Sequence, residues 1–200
     1  IVEGGSLAIL GGVGPLGLGA IDYILHCDRR PRHLVITGRT QQKLDRAAAL
    51  YPPAEAAQYG IELHYINSNH TSTEQIKALS ADGKGFDDLF VYAPTEELVT
   101  QADQLLGFDG CLNFFAGPVD PTFSVPFNFF NVHYAATHVV GTSGGNTDDM
   151  IESLQLMANG KVDPSGLVTH IGGLNAVIDT TLNLPQIPGG KKLIYTHLDL

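Results

Sequence analysis

The stretch Ser6-Leu-Ala-Ile-Leu-Gly-Gly-Val-Gly-Pro-Leu-Gly-Leu18 organises the whole chain. Ser6 to Leu10 reads as a buried strand, and a glycine-rich turn follows without a spacer. An apolar-periodic segment begins at Pro15 and runs to about Cys27. Within the turn, Gly12-x-Gly14-x-x-Gly17 has the spacing of a dinucleotide-binding strand–turn–helix unit. In that unit Gly12 is expected to permit the tight turn. Gly14 is expected to let a pyrophosphate approach the backbone, and Gly17 to let helix and strand pack closely. Pro15 suits the first helical position, where its missing N–H costs nothing. The free N–H groups of that helix end, with its positive dipole, suit phosphate.

The rest of the chain repeats the same alternation. His33-Leu-Val-Ile, Ile61 to Ile66, Asp88 to Tyr92, Cys111 to Phe115 and Ala136 to Thr142 read as further strands. Between them lie expected helices: Gln41 to Tyr51 after a Thr40 cap, a short one in Pro53 to Gly60, and one after the Ser72-x-x-Gln75 capping box. Two more follow Thr95 and Asn128. Gly107 and Gly110 are expected to end the helix that starts after Thr95. A last long helix from Asn146 carries Met150, Leu154 and Met157 at helical spacing, and Gly160 ends it. A strand, a helix and a strand then close the chain. This order predicts an α/β fold with a doubly wound parallel sheet of six strands and a C-terminal extension. The division expected is a dinucleotide-binding domain over 1–143 and a C-terminal helix and tail over 144–200.

Composition narrows the function. An apolar content of 44% supports a substantial core in 200 residues. Apolar runs are of strand length, so no membrane span is expected. A formal charge of −10 argues against nucleic acid or an anionic membrane as partner. The chain starts at Ile1 and shows no signal peptide, which suggests a piece of a longer protein. Cys27 and Cys111 form no C-x-x-C unit and read as buried thiols of a reducing compartment, the cytoplasm. Among the histidines, His64, His70, His133, His138 and His170 show no metal-ligand spacing. There is no Gly-x-Ser-x-Gly elbow. Asp148, Asp149 and Glu152 read as a helix start and its solvated face.

Positive charge is concentrated early. Arg29, Arg30, Arg32, Arg39, Lys43 and Arg46 are six of the eleven Lys and Arg residues. At the end of the second strand, where a cofactor with a free ribose 2′-OH wants an acid, stand Gly38 and Arg39. Arg39 offers a permanently charged planar fork for phosphate, with Lys43 one helical turn further on. The expected cofactor is therefore NADP(H) in preference to NAD(H).

Three stretches carry a resemblance: Ser6 to Leu18, Gly38-Arg39-Thr40, and Thr169-His-Ile-Gly-Gly-Leu174 before a helix. Together they resemble the medium-chain zinc-type alcohol and polyol dehydrogenases. Thr137-His-Val-Val-Gly-Thr-Ser-Gly-Gly145 and Asn183-Leu-Pro-Gln-Ile-Pro-Gly-Gly-Lys-Lys192 are similar to the L-sorbose-1-phosphate reductase branch, which interconverts a ketose phosphate and a hexitol phosphate. The resemblance implies that Gly12, Gly14, Pro15 and Leu16 hold the pyrophosphate. Gly38, Arg39 and Lys43 would meet the adenosine ribose end, and Ala93 and Pro94 would flank adenine and its ribose. Phe115, Ala116 and the Gly141-Thr142-Ser143 backbone would reach the nicotinamide end, with Thr95 a further candidate. It also implies that zinc and the proton relay belong to an upstream domain absent from this chain, so no catalytic or metal residue is assigned here. The chain alone is expected to be inactive toward the sugar phosphate and to form a homodimer through the sheet edge. Two other readings remain open: a methyltransferase-type doubly wound domain, against which Gly38 speaks, and a non-enzymatic nucleotide-binding module.

Overall fold

β1 (Ser6–Leu10) lies at the centre of the sheet because four of its five residues are apolar: Leu7 to Leu10 are each 0% exposed. The computed structural model describes residues 1–198, so residues 199 and 200 of the C-terminal region expected over 144–200 lie outside the described residues. α1 (Pro15–His26) leads to β2 (His33–Gly38). α2 (Gln41–Leu50) and the single turn α3 (Pro53–Ala56) lead to β3 (Glu62–Asn67). α4 (Thr73–Lys77) precedes β4 (Phe86–Val91), α5 (Glu96–Leu105) precedes β5 (Leu106–Phe114), and α6 (Phe129–Tyr134) precedes β6 (His138–Gly141). These six strands pair in parallel in the order β3-β2-β1-β4-β5-β6. The chain reverses direction across the sheet between β1 and β4, which creates a crevice at their carboxyl ends.

Alternation along β1 sets two cores. Leu7 and Ile9 face α1 and α2, packing with Leu18, Ile21, Leu25 and Ala47. Ala8 and Leu10 face α4 and α5, packing with Ile76, Phe86, Ala102 and Leu105. The Ser72 capping box forms as expected: Gln75 N–H donates to Ser72 Oγ at 3.3 Å, and Ser72 N–H donates to Gln75 Oε1 at 2.8 Å. Thr40 starts α2, but its hydroxyl makes no capping bond.

Two expectations are corrected. Gly107 and Gly110 do not separate α5 from the fifth strand; β5 begins at Leu106, directly after the helix. The strand continues through an irregular stretch between Phe86 and Asp88 of β4, where the chains come so close that a Cβ on Gly110 would sit 2.7 Å from the Phe86 carbonyl oxygen. The second correction concerns Cys111, which is only partly buried, whereas Cys27 is buried; both thiols are free.

After β6, α7 (Thr147–Ala158) starts with its own capping box, in which Asn146 and Asp149 exchange bonds. Its apolar stripe is packed only at the end: Met150 is 65% and Leu154 62% exposed, while Met157 is half-buried. β7 (Val168–Gly173), α8 (Val177–Leu182) and β8 (Lys191–Tyr195) form a separate two-stranded parallel sheet with one short helix.

The segment between α7 and β7 is tied back to the first helix. Asp22, 3% exposed on α1, accepts a 2.8 Å bond from the Asp163 N–H, and Arg46 of α2 donates to the Gly166 carbonyl at 2.9 Å. Lys161 reaches Asp28 at 3.2 Å, and Leu167 packs against the α1 core. Burial pushes the Asp22 carboxyl above its ordinary 3.8, and the bond from Asp163 and the neighbouring His26 pull it only part of the way back. The side chains around it are His26 of its own helix, Asp163, and Tyr51 of α2, whose phenol burial and these acids push up to about 12. A carboxyl whose folded value is raised holds its proton better in the folded state. Its contribution to stability is therefore greatest in acid and is lost as pH rises from the ordinary carboxylate value through the raised one. Asp22→Asn keeps an acceptor for Asp163 N–H and removes that titration. Urea unfolding from pH 4 to 7 is expected to show the variant gaining on the parent as pH rises. Parallel pH profiles for the two chains contradict this account.

Candidate functional site

The crevice between the carboxyl ends of β1 and β4 opens into a cleft of about 800 Å³. Its floor is the turn after β1. The left-handed residue there is Gly11, with φ of +73°, and Gly12 lies beside it in the same turn. Gly12 is buried, and a Cβ on it would meet Ile9 Cγ2 at 2.8 Å. The turn is fastened to the end of β2, since Gly12 N–H donates to the Thr37 carbonyl at 3.0 Å and Gly11 N–H to the Thr37 hydroxyl at 3.3 Å.

Gly17 packs helix against turn as its spacing predicts, and Gly14 is its opposite in having open space around it. A Cβ on Gly17 would lie 2.0 Å from the Gly12 carbonyl oxygen, so only glycine lets the first turn of α1 rest on the loop. A Cβ on Gly14 would meet nothing within 4 Å, so glycine there leaves open space beside the helix N-terminus. Gly14 is the N-cap residue and Pro15 follows at the first helical position. The free N–H groups of that first turn are donors for an anion. This cradle fits the pyrophosphate of a dinucleotide.

Each residue singled out from sequence lies at or just beyond the carboxyl end of a strand, and the structure sorts them. Gly14, Gly38, Arg39, Lys43 and Ala93 line the cleft together, and Thr95 does too. Thr95 also caps α5, accepting from Leu98 N–H at 3.4 Å. Leu16 is turned away and lines a second groove of about 680 Å³ with Phe115, Tyr92 and Tyr23. In that groove Phe115 packs edge-on to Tyr92, with ring centres 5.6 Å apart. Ala116 is buried, its N–H and that of Phe115 donating to the Val91 carbonyl at 3.0 and 3.2 Å. Pro94 and the exposed Gly141, Thr142 and Ser143 line neither space.

Sequence reasoning passed over the far walls of the cleft. Ser68 and Asn69 follow β3; Ser68 N–H donates to the Gly38 carbonyl at 3.0 Å and the Asn69 amide to the Arg39 carbonyl at 3.0 Å. Glu96, Glu97 and Gln101 enter from α5. Their only sequence signal was position, just past the ends of β3 and β4. Thr73 of α4 also lines the cleft and accepts from the Gln101 amide at 3.2 Å. The cleft therefore carries bases on the α2 side and acids at the start of α5.

Among the described residues, no group of three or more His, Cys, Asp or Glu side chains could hold a metal ion. His138 instead places Nε2 2.8 Å from Asp109 Oδ1. None of the helices described is long and apolar enough to cross a membrane.

Residues 15–159 match the family model described as zinc-binding dehydrogenase. The chain is 53% identical over 202 positions to mannitol-1-phosphate 5-dehydrogenase of Aliivibrio fischeri, covering 100% of this chain and 48% of that protein. It is 53% identical over 192 positions to L-sorbose 1-phosphate reductase of Klebsiella pneumoniae, covering 96% and 46% respectively. The chain thus spans about half the length of the curated relatives it matches. Among solved structures, alcohol dehydrogenase TADH from Thermus sp. ATN1 superposes with a TM-score of 0.77 at 18% identity, over 96% of this chain and 51% of that one. That likeness concerns the fold.

Proposed function

Since the chain belongs to the zinc-binding dehydrogenase family, we propose that it is the NADP(H)-binding part of an oxidoreductase that interconverts a ketose phosphate and a hexitol phosphate. The observation that carries this reading is the cleft itself. A glycine turn at the topological switch point is open at Gly14, and Gly38, Arg39 and Lys43 line the same space. The relatives named for sugar-phosphate substrates support the substrate class.

In this reading the first turn of α1 binds the pyrophosphate through backbone N–H groups. Arg39 and Lys43 pair with the 2′-phosphate, since a guanidinium fork matches phosphate geometry. Ala93 and Pro94 flank adenine and its ribose. Phe115, Ala116 and the 141–143 backbone face the nicotinamide end. When bound, the nicotinamide supplies or accepts the hydride. Zinc is assigned to none of this chain's residues and belongs to the remainder of a longer protein. Residues 1–143 form the dinucleotide-binding domain, and 144–200 return to the catalytic domain. The mostly exposed stripe of α7 and the small β7–β8 sheet support that division, since a two-stranded sheet is marginal alone. Two free thiols suit the reducing cytoplasm.

Fluorescence titration of the chain with NADPH, NADH and S-adenosylmethionine tests the reading. NADPH is expected to bind tightest and S-adenosylmethionine not at all. Equal affinity for the two nicotinamide cofactors refutes the NADP(H) preference. Tight S-adenosylmethionine binding in place of both returns the methyltransferase reading.

A homodimer is part of the same proposal. β6 is an edge strand whose four residues are all exposed, with Val139 and Val140 uncharged and apolar. Such an edge offers unpaired backbone groups to a two-fold mate. Light scattering at micromolar concentration is expected to give a dimer mass, and Val140→Lys a monomer. A parent chain already monomeric rejects the edge pairing.

A further inference from the structure

We propose that Val13 determines the cofactor preference of the cleft by keeping position 38 a glycine. The inference rests on the NADP(H) reading above and adds to it a residue that needs no contact with the 2′-phosphate. Gly38 ends β2 and is buried. Its φ is not in the left-handed region, so the backbone there accepts any L residue. The obstacle is steric: a Cβ at position 38 would lie 2.7 Å from Val13 Cγ2 and 2.9 Å from Val13 Cγ1. Rotating Val13 does not clear the space. Its Cβ carries two methyls and one hydrogen in three staggered positions, and both positions facing Gly38 now hold methyls. Either other rotamer puts the single hydrogen in one of them and leaves a methyl in the other.

The backbones cannot easily part either. The turn is held to β2 by the two bonds from Gly11 and Gly12 to Thr37. Gly38 is held from the opposite side by its register with Asn67 of β3 and by the Ser68 N–H on its carbonyl. A side chain at position 38 must therefore displace the phosphate-binding turn. An acid at the end of the second strand is what receives a free ribose 2′-hydroxyl and repels a 2′-phosphate. Val13 bars that acid, and so leaves the site to Arg39 and Lys43.

A four-chain cycle tests this: parent, Val13→Ala, Gly38→Asp and the double variant. Each is followed by urea unfolding without cofactor and by NADPH and NADH fluorescence titration. Val13→Ala removes both methyls. Gly38→Asp alone is expected to unfold at a clearly lower urea concentration than the parent and to bind both cofactors at least tenfold more weakly. Adding Val13→Ala is expected to restore the unfolding midpoint to that of Val13→Ala alone. The double variant should also bind NADH at least tenfold tighter than Gly38→Asp, and NADPH at least tenfold more weakly than the parent. A parent that prefers NADPH, with additive effects of the two substitutions on midpoint and affinity, overturns this inference alone. A parent without that preference overturns the cofactor reading and this inference with it.

Discussion

Gly17→Ala is expected to lower the stability of the chain by about 3 kcal/mol or more, at or beyond the top of the usual range for overpacking. The added methyl would lie 2.0 Å from the Gly12 carbonyl oxygen and 2.3 Å from its carbon. Those atoms are backbone, and Gly12 N–H is itself bonded to the Thr37 carbonyl at 3.0 Å. No rotamer change relieves the clash, so α1 must lift off the turn and loosen Leu18 and Ile21 from the core. Gly14→Ala is the paired control. Its methyl meets nothing within 4 Å, and the N-cap exchange costs stability only about 1 kcal/mol. It should nevertheless weaken cofactor binding, because the open space is where the pyrophosphate is proposed to lie. Urea midpoints separate the two. A Gly17→Ala chain within 1 kcal/mol of the parent would remove close packing as the reason for that glycine.

Arg39→Ala is expected to weaken NADPH binding by about 1.5–3 kcal/mol, the range for a hydrogen bond to a charged group, or roughly 10- to 150-fold. NADH binding should hardly change, because no 2′-phosphate is there to lose its partner. The NADPH affinity of the parent should fall with added salt more steeply than that of the variant, since Arg39 is exposed and its charge is screened. A loss shared equally by both cofactors would make Arg39 a structural residue of the β2–α2 corner. Its carbonyl already accepts from Asn69 there.

The fold could be read where local pattern and tertiary role coincide. β1, its turn and α1 are legible because four consecutive apolar residues, a glycine run and a proline at the first helical position all favour the same unit. The Ser72 capping box and the helix start at Asn146 are legible for the same reason, since capping is a local exchange of bonds between residues three apart. Reading failed where the deciding contact is distant in sequence. Gly107 and Gly110 look like helix terminators, but their constraint is the approach of β4 to β5. Gly12 lies in the turn as expected, but nothing local shows that Gly11 takes the left-handed conformation or that Ile9 leaves Gly12 no room for a side chain.

The cleft was half visible for a related reason. The glycines, Arg39 and Lys43 carry a phosphate signature in their own types. Glu96 and Gln101 look like the start and face of any solvated helix, and only the sheet order brings them opposite β1. The stripe on α7 was read correctly as a pattern. Met157 at its end is half-buried beside a groove shared with Gly19 and Tyr23 of α1, while Met150 and Leu154 stay exposed.

The tie between Asp22 and Asp163 has a consequence for how the chain assembles during synthesis. Its acceptor is in the first helix, and its donor is made 141 residues later. At synthesis rates of about 5–20 residues per second, that is a wait of roughly 10–30 s. Over that interval α1 can dock on β1 and β2 as they emerge, but its carboxylate must keep a hydration shell that the finished fold expels. The turn after β1 thus leaves the ribosome well before residue 163 does, and the helix behind it is fully dried only when that later segment docks.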